Sequence, residues 1–294
     1  MQENDPSDPS EPTESQRPRP FGDPISDPEA VRPMSAGAAF MWASGVIIGF
    51  WFLAGTMASS EPDLIGAFAC QAVAMLLGLF LILRVHAPMA SIRRFLGVRP
   101  AHPAFYPLGL LLGLSLHIPA DTLYRWIEQR WPSSPQTLPK IFQEASLPKQ
   151  IAMGAILIVL GPLVEEIFFR GALFRPLRKQ NSAFTVIAVT AACFAVAHAM
   201  PQTYAPIALV GISIGLSRLF SGSFIPPVLI HCAFNALSLY ALATSPVAES
   251  AADEPLPLWL TLSGTALTAA ILAAFVVIGR RSAAAREAQQ LDMQ

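Results

Sequence analysis

Charged residues are scarce in this sequence. Only 13% of its 294 residues are Asp, Glu, Lys or Arg, whereas 53% are hydrophobic; a typical soluble domain carries about 25% charged residues. The charges lie between long apolar blocks instead of being spread evenly, which indicates a membrane protein. The net charge of −1 gives no support to a nucleic-acid partner, and we expect none.

Cysteine is also rare, and its positions argue against two common roles. Cys70, Cys193 and Cys232 each lie inside an apolar block, and no pair has Cys-x-x-Cys spacing. This pattern argues against a disulfide framework and against a zinc ribbon. The sequence contains no His-Glu-x-x-His motif, so it also lacks a common signature of zinc metalloproteases.

The first 33 residues differ in composition from the rest of the chain. They contain eight prolines and eight acidic residues but only three arginines. Such a segment cannot bury enough apolar surface to offset the entropy of ordering, so we predict a disordered tail over 1–33. It has no basic start followed by an apolar core, and therefore does not read as a secretory signal peptide.

Long apolar blocks follow this tail. A membrane-spanning helix needs about 20 mainly apolar residues, and the sequence therefore predicts an all-α fold, a polytopic membrane helical bundle with about eight transmembrane helices. The predicted helices cover approximately residues 35–57, 63–84, 104–122, 149–174, 183–200, 203–220, 224–244 and 257–279.

This reading predicts a multi-pass integral membrane protein, in the inner membrane if the cell is bacterial, with the lipid bilayer as its first partner. The transmembrane domain covers 34–279, and a basic C-terminal tail covers 280–294. With eight spans, fifteen of the 19 Lys and Arg residues fall on the side that holds both termini. Because basic residues favour the cytoplasmic side, we predict that both termini are cytoplasmic and that the loop 245–256 is external.

Three short motifs place polar side chains inside these blocks. Ionisable groups at membrane depth are costly, and by default they mark a functional site. Residues four apart share a helix face, so Glu166 and Arg170 can pair. Glu165 is turned about 100° away from Glu166 by the helical period. Together the groups make a plausible acid–base site. The motifs are Glu165-Glu166-x-x-x-Arg170, Phe194-x-x-x-His198 and His231-x-x-x-Asn235.

Other roles for these residues remain open. The Glu166–Arg170 pair could serve helix packing alone, a single intramembrane His or Asn is often a hydrogen-bonded staple between helices, and Phe194 fits a packing role. A transporter or channel that relays protons through Glu165 and the histidines is a second interpretation. Inverted repeats would support a transporter, but the Glu-Glu segment is not repeated elsewhere in the sequence.

In this order, the three motifs resemble the CPBP family of intramembrane proteases, which process CAAX proteins and bacteriocins and include the Ras-converting CAAX endopeptidases. The resemblance covers roughly residues 149–244, and all three motifs match without a departure. It implies an intramembrane endopeptidase whose substrate is a membrane-associated protein or peptide, with prenylated and lipidated proteins among the candidate substrates. A non-catalytic member of the family, acting as a scaffold or an immunity protein, is the alternative within this resemblance.

The resemblance also implies roles for the motif residues. Glu165 and His198 would activate the attacking water, His231 and Asn235 would stabilise the oxyanion, and Glu166 and Arg170 would support the site. The family has been described both as metal-dependent and as a metal-free glutamate type. We favour a metal-free site; the zinc alternative would use Glu165, His198 and His231 as ligands.

Straight, upright helices would not bring these groups to one level. A rise of about 1.5 Å per residue puts Glu165 roughly 14 Å, His198 roughly 22 Å and His231 roughly 10 Å from the predicted cytoplasmic ends of their helices. Either tilted helices or an earlier end to the fifth helix must reconcile these depths.

Overall fold

A computed structural model describes residues 31–57, 63–132, 138–244 and 255–291. These residues form helices and no strands, which confirms the predicted all-α membrane bundle. The predicted disordered tail lies outside the described residues except for 31–33, as does all but the end of the predicted external loop 245–256. The helices are α1 Ala36–Thr56, α2 Leu64–His86, α3 Ile92–Leu96, α4 Phe105–Glu128, α5 Leu138–Gln143, α6 Leu147–Ala155, α7 Gly161–Glu166, α8 Phe174–Gln180, α9 Ala183–Val196, α10 Tyr204–Ser221, α11 Ile225–Thr244 and α12 Leu258–Leu291.

The predicted count of about eight spans is not confirmed. By length and composition, six helices in the described part of the chain can cross a membrane. The third predicted span, α4, falls short because its C-terminal half carries His117, Asp121, Arg125 and Glu128. The fifth, α9, has 14 residues and is therefore about 21 Å long, less than the roughly 30 Å of a hydrocarbon core. The six are Ala36–Thr56, Leu64–His86, Leu147–Gln180, Pro201–Ser221, Ile225–Thr244 and Leu258–Ala285.

Polar caps and glycines define several helix ends. Ser35, Asp63 and Ser182 precede α1, α2 and α9, and each side chain accepts a hydrogen bond from a first-turn backbone N–H, which satisfies a donor that the helix leaves unpaired. Gly222 ends α10 at a φ of 62°, in the left-handed region that glycine adopts without a steric penalty. The last helix continues beyond the predicted boundary at 279, to Leu291.

The span Leu147–Gln180 is one helix interrupted by two π-helical turns, Ile156–Leu160 and Ile167–Ala172. In the first turn the Gly161 N–H bonds to the carbonyl of Ile156, five residues back. The α7 segment, which carries both glutamates, lies between the two turns. Because such bulges change the direction of side chains within a helix and often occur at functional sites, this span shapes the polar centre of the bundle.

The bundle has two clusters of buried apolar side chains on either side of this interrupted helix. One joins α1, α2 and α9 to it and includes Phe168, Phe169 and Phe194. The other joins α4, α10, α11 and α12 and includes Leu112 and Phe275. The interrupted helix contributes buried side chains to the first cluster, and it contacts the second through α11.

The start of the described chain is packed against the bundle. Val31 and Met34 are buried. The Arg32 N–H donates to the carbonyl of His86, and the Met34 N–H donates to the carbonyl of Pro176. Arg32, within the predicted tail, thus contacts the end of α2, and Met34, just after the tail, contacts the first turn of α8.

Candidate active site

Glu166 and Arg170 form an ion pair in the middle of the bundle. Arg170 Nη1 lies 2.9 Å from Glu166 Oε1, and both side chains are fully buried. This is the i, i+4 pairing that the sequence spacing predicts. Arg170 also donates through Nη2 to the Gly211 carbonyl of α10 at 2.9 Å, so the pair ties the interrupted helix to its neighbour.

Phe194 lies at the centre of the aromatic packing around this pair. The guanidinium carbon of Arg170 is 4.7 Å from the Phe194 ring centroid. The same ring meets His198 and His231 edge-on, with centroid separations of 5.0 and 5.4 Å. A buried phenyl ring in this position fixes both imidazoles relative to the arginine through packing and a cation–π contact.

Glu165 points away from the ion pair, as the helical period predicts, but it has partners on two other helices. Gln71 Nε2 on α2 donates to Glu165 Oε1 at 2.7 Å. The other oxygen, Oε2, lies 3.7 Å from His231 Nε2 on α11. The Glu165 side chain is 16% exposed, whereas that of Glu166 is fully buried. Of the two carboxylates, Glu165 is therefore the one that small molecules can reach.

His231 joins the two carboxylates. Its Nδ1 lies 2.9 Å from Glu166 Oε1, the same oxygen that accepts a hydrogen bond from Arg170. An ionised carboxylate can only accept hydrogen bonds, so Nδ1 carries a proton and donates it to this bond. The Nε2 atom facing Glu165 is then a lone pair in neutral His231 and a donor only in the imidazolium.

His198 lies just beyond the end of its helix. The α9 helix ends at Val196, Ala199 has a φ of 56°, and Pro201 follows. An alanine in this left-handed region is strained by about 1–2 kcal/mol, and it turns the chain away from the helix axis. Two arrangements would bring Glu165, His198 and His231 to one level: tilted helices or an earlier end to the fifth helix. The structure shows the earlier end, at Val196. His198 Nδ1 bonds to the Phe194 carbonyl at 2.9 Å, which leaves Nε2 as a free lone pair in the neutral ring.

Asn235 is bonded to the backbone of the first π-helical turn. Its Nδ2 donates to the Leu157 carbonyl at 2.8 Å. After the bond from Gly161 to Ile156, the next donor in the π-helical register would be residue 162, which is proline and has no N–H. Leu157 thus lacks this backbone partner, and the Asn235 amide takes its place. This bond fixes the turn immediately before the two glutamates.

A cavity of about 260 Å³ opens beside Glu165. The carboxylate, Gln71 and His198 form its polar wall, and apolar side chains of α1, α2 and the interrupted helix form the rest. Trp51, at one edge, is 53% exposed on the outer surface of the bundle. The residues that line the cavity are Val46, Ile47, Phe50, Trp51, Gln71, Met75, Glu165, Phe169, Ala197 and His198.

The described residues do not assemble a donor group for the zinc alternative. Throughout the described ranges, no group of three or more His, Cys, Asp and Glu side chains is arranged to hold a metal ion. In the suggested set of Glu165, His198 and His231, each histidine donates from Nδ1 to Phe194 or Glu166 and keeps a lone pair on Nε2 when neutral, as metal-bound histidines also do. We derive no step through a metal, and the metal-free site remains a prediction.

The structure brings most, but not all, of the predicted site residues into contact with one another. Glu165, Glu166, Arg170 and His231 form one connected set, and His198 shares the cavity with Glu165. Asn235 contacts the helix that carries this set rather than a carboxylate. Gln71 was missed by sequence reasoning, although the signal was present: it is the only amide in an apolar run of twenty residues, 64–83.

The fold and the site together define a class: a multi-pass helical membrane protein that buries a glutamate–histidine centre between its spans. The comparisons with known proteins narrow that class. Residues 147–237 match the sequence model of the Rce1-like family, described as type II CAAX prenyl endopeptidase. The matched segment contains all three motifs, so the resemblance stated from those motifs is confirmed for this segment, and the family is a protease family.

Two further comparisons concern individual proteins. The chain is 29% identical over 134 residues to an uncharacterized 24.3 kDa protein of Escherichia coli, and the alignment covers 44% of this chain and 55% of that protein. The chain thus spans about half the length of that relative. No solved structure gives a significant match.

Proposed function

We propose that this chain is an intramembrane endopeptidase that hydrolyses a peptide bond in a membrane-associated protein. The observation that carries the proposal is that two candidate bases, Glu165 and His198, line one cavity beside α1 and α2. Because His198 Nδ1 is bonded to the Phe194 carbonyl, its Nε2 is a lone pair in the neutral ring. The match to the Rce1-like family supports the same reaction class.

In this proposal Glu165 and His198 activate a water molecule. One of the two bases takes a proton as the water oxygen bonds to the carbonyl carbon of the substrate, and the carbonyl electron pair moves onto its oxygen. The tetrahedral intermediate then breaks its C–N bond. The proton taken from the water passes to the leaving nitrogen, so that an acid and an amine are released and the base is restored.

His231 is proposed to stabilise the oxyanion, and its hydrogen bonds specify how. Because Nδ1 is used by Glu166, Nε2 can donate to an oxyanion only when His231 is an imidazolium. That positive charge would balance a centre that holds two carboxylates, Glu165 and Glu166, and one guanidinium, which is bonded to Glu166. Asn235 has a second amide hydrogen besides the one bonded to Leu157, and we propose it as the other donor.

The walls of the cavity suggest the substrate class. Apart from Gln71, the lining side chains of α1 and α2 are apolar, and Trp51 lies where the cavity meets the outer surface of the bundle. A hydrocarbon chain can enter from the lipid along such a wall without exposing polar groups to the bilayer. We therefore propose a prenylated or otherwise lipidated protein as the substrate.

The test uses the purified full-length chain in lipid nanodiscs with a library of peptides made with and without a prenyl or acyl group. Products are identified by mass spectrometry, and Glu165→Gln is the inactive control, because an amide cannot accept the proton. We expect cleavage by the wild type, preference for lipidated peptides and no cleavage by the variant.

The alternatives give different outcomes in the same preparation. Turnover by Glu165→Gln at the wild-type rate would remove Glu165 from the mechanism. Binding of lipidated peptides without any cleavage would indicate the non-catalytic role. Proton-coupled ion flux in proteoliposomes, without cleavage, would indicate the transporter.

A further inference from the structure

A glutamine on α2 contacts the candidate base from outside all three motifs. Gln71 lies 94 positions from Glu165 in the chain, and its Nε2 is 2.7 Å from Glu165 Oε1. It also lies outside the segment 147–237 that matches the Rce1-like family. We propose that Gln71 is a positioning residue that holds the Glu165 carboxylate in its reactive orientation. This inference rests on the proposed endopeptidase function.

The apolar surroundings of Gln71 give its hydrogen bond to Glu165 an energetic role, because an amide without a partner is costly there. Residues 64–83 contain no other side-chain amide and no charged residue. A fully buried amide without a hydrogen bond costs about 1–3 kcal/mol by protein mutational data, and Gln71, which is partly buried at the cavity wall, would bear part of that cost. The 2.7 Å bond to a carboxylate offsets that cost, and charge-assisted bonds of this kind are roughly twice as strong as neutral ones.

The two carboxylate oxygens of Glu165 have different neighbours. Gln71 occupies Oε1, while Oε2 faces His231 Nε2 across 3.7 Å. Gln71 therefore holds the carboxylate plane from the α2 side. The second oxygen, Oε2, is left for proton exchange with water or substrate.

The remaining charged and titratable groups around Glu165 do not replace this donor. The side chains of α1 that line the cavity are apolar, and Gln71 is the polar one on α2. His198 of α9 shares the cavity, His231 of α11 faces the other oxygen, and Arg170 of the same helix is bonded to Glu166. Within the described residues, the Gln71 amide is the side-chain group that lies at hydrogen-bonding distance from Oε1.

The principal test is Gln71→Met, which keeps approximately the same length and removes the donor. We expect kcat to fall about 10- to 100-fold, because small losses of alignment at a reacting group have effects of that size, while KM and thermal stability change little. Gln150→Met is the matched control: its amide donates to the Phe142 carbonyl, away from both carboxylates, so kcat should be unchanged.

A second variant separates positioning from simple helix packing. Gln71→Glu places a second carboxylic acid against Glu165, where it can donate only while protonated. We expect its kcat, measured on folded protein as a ratio to the wild type at the same pH, to recover partly at acidic pH and to fall as pH rises, whereas a packing role would change only the folded fraction. In parallel, infrared spectra should show a carboxylate band that disappears in Glu165→Gln and moves in Gln71→Met.

The outcomes distinguish this inference from the proposed function. Wild-type kcat in Gln71→Met, or an unmoved carboxylate band, would overturn the positioning role while leaving the peptidase assignment intact. A loss of folded protein in Gln71→Met, with no movement of the band in the fraction that folds, would overturn it in favour of packing. If the wild type cleaves no peptide, the proposed function fails, and the infrared band alone still decides whether Gln71 holds Glu165.

Discussion

Replacing Glu166 with glutamine tests the role assigned to the buried ion pair. Glu166→Gln keeps the shape of the side chain but removes its charge. In the wild type, Glu166 Oε1 accepts from both Arg170 and His231 at 2.9 Å, and both Glu166 and Arg170 are fully buried. We therefore expect loss of stability rather than a selective loss of chemistry.

The size of the effect follows from the burial. Breaking a buried pair by removing one partner typically costs about 3–5 kcal/mol, since the other charge is left without compensation. In a thermal scan this corresponds to a lower Tm by on the order of 10 °C. The bond from Arg170 to the Gly211 carbonyl remains, but a neutral carbonyl does not balance the guanidinium charge.

The assay is thermal unfolding of detergent-solubilised protein, followed by tryptophan fluorescence. Glu144→Gln is the control, because it is the same substitution at an exposed position, where surface changes are usually within about 0.5 kcal/mol. An unchanged Tm in Glu166→Gln would refute the structural role of the pair.

A double variant checks the physical reasoning behind this prediction. Glu166 Oε2 and Arg170 Nε have no hydrogen-bond partner among the described residues, so the pair is not fully satisfied. Replacing an incompletely satisfied buried pair with apolar side chains is often neutral or stabilising. Glu166→Leu combined with Arg170→Met should therefore unfold at a higher temperature than Glu166→Gln alone. A lower Tm would contradict the reasoning.

Three further predictions concern the metal, the turn before the glutamates and the topology. If the site is metal-free, chelators should leave peptidase activity intact; loss of activity that zinc restores would overturn this. Pro162→Ala supplies a backbone N–H that competes with Asn235 for the Leu157 carbonyl, so kcat should fall although Tm does not, and unchanged kcat would count against Asn235 as a fixing contact. With both termini cytoplasmic, a cysteine at Ser250, in a background without the native cysteines, should react with an impermeant reagent from outside intact cells. One at Ser282 should react only in opened cells, and the reverse pattern would invert the orientation.

Much of the architecture follows from local pattern. Apolar blocks of about 20 residues predict helices wherever they occur, and each predicted block contains a helix near the expected bounds. The Glu166–Arg170 pair follows from i, i+4 spacing within one helix, as does the turning of Glu165 to another face. The count of about eight spans is not confirmed, and hydropathy alone does not locate helix ends: α9 ends at Val196, four residues before the predicted boundary at 200.

The contacts that complete the candidate site depend on the tertiary structure. Gln71 meets Glu165, and His231 meets Glu166, across sequence separations of 94 and 65 residues, and helical periodicity carries no information about which faces of distant helices will pack together. Asn235 reaches Leu157 because a π-helical turn and Pro162 leave that carbonyl without a backbone partner. By itself, the sequence determined which polar groups enter the membrane domain and which of them share a helix face. Packing between helices decided their partners, because hydrogen bonds between helices depend on the helix ends, bulges and close approaches that exist only in the folded bundle.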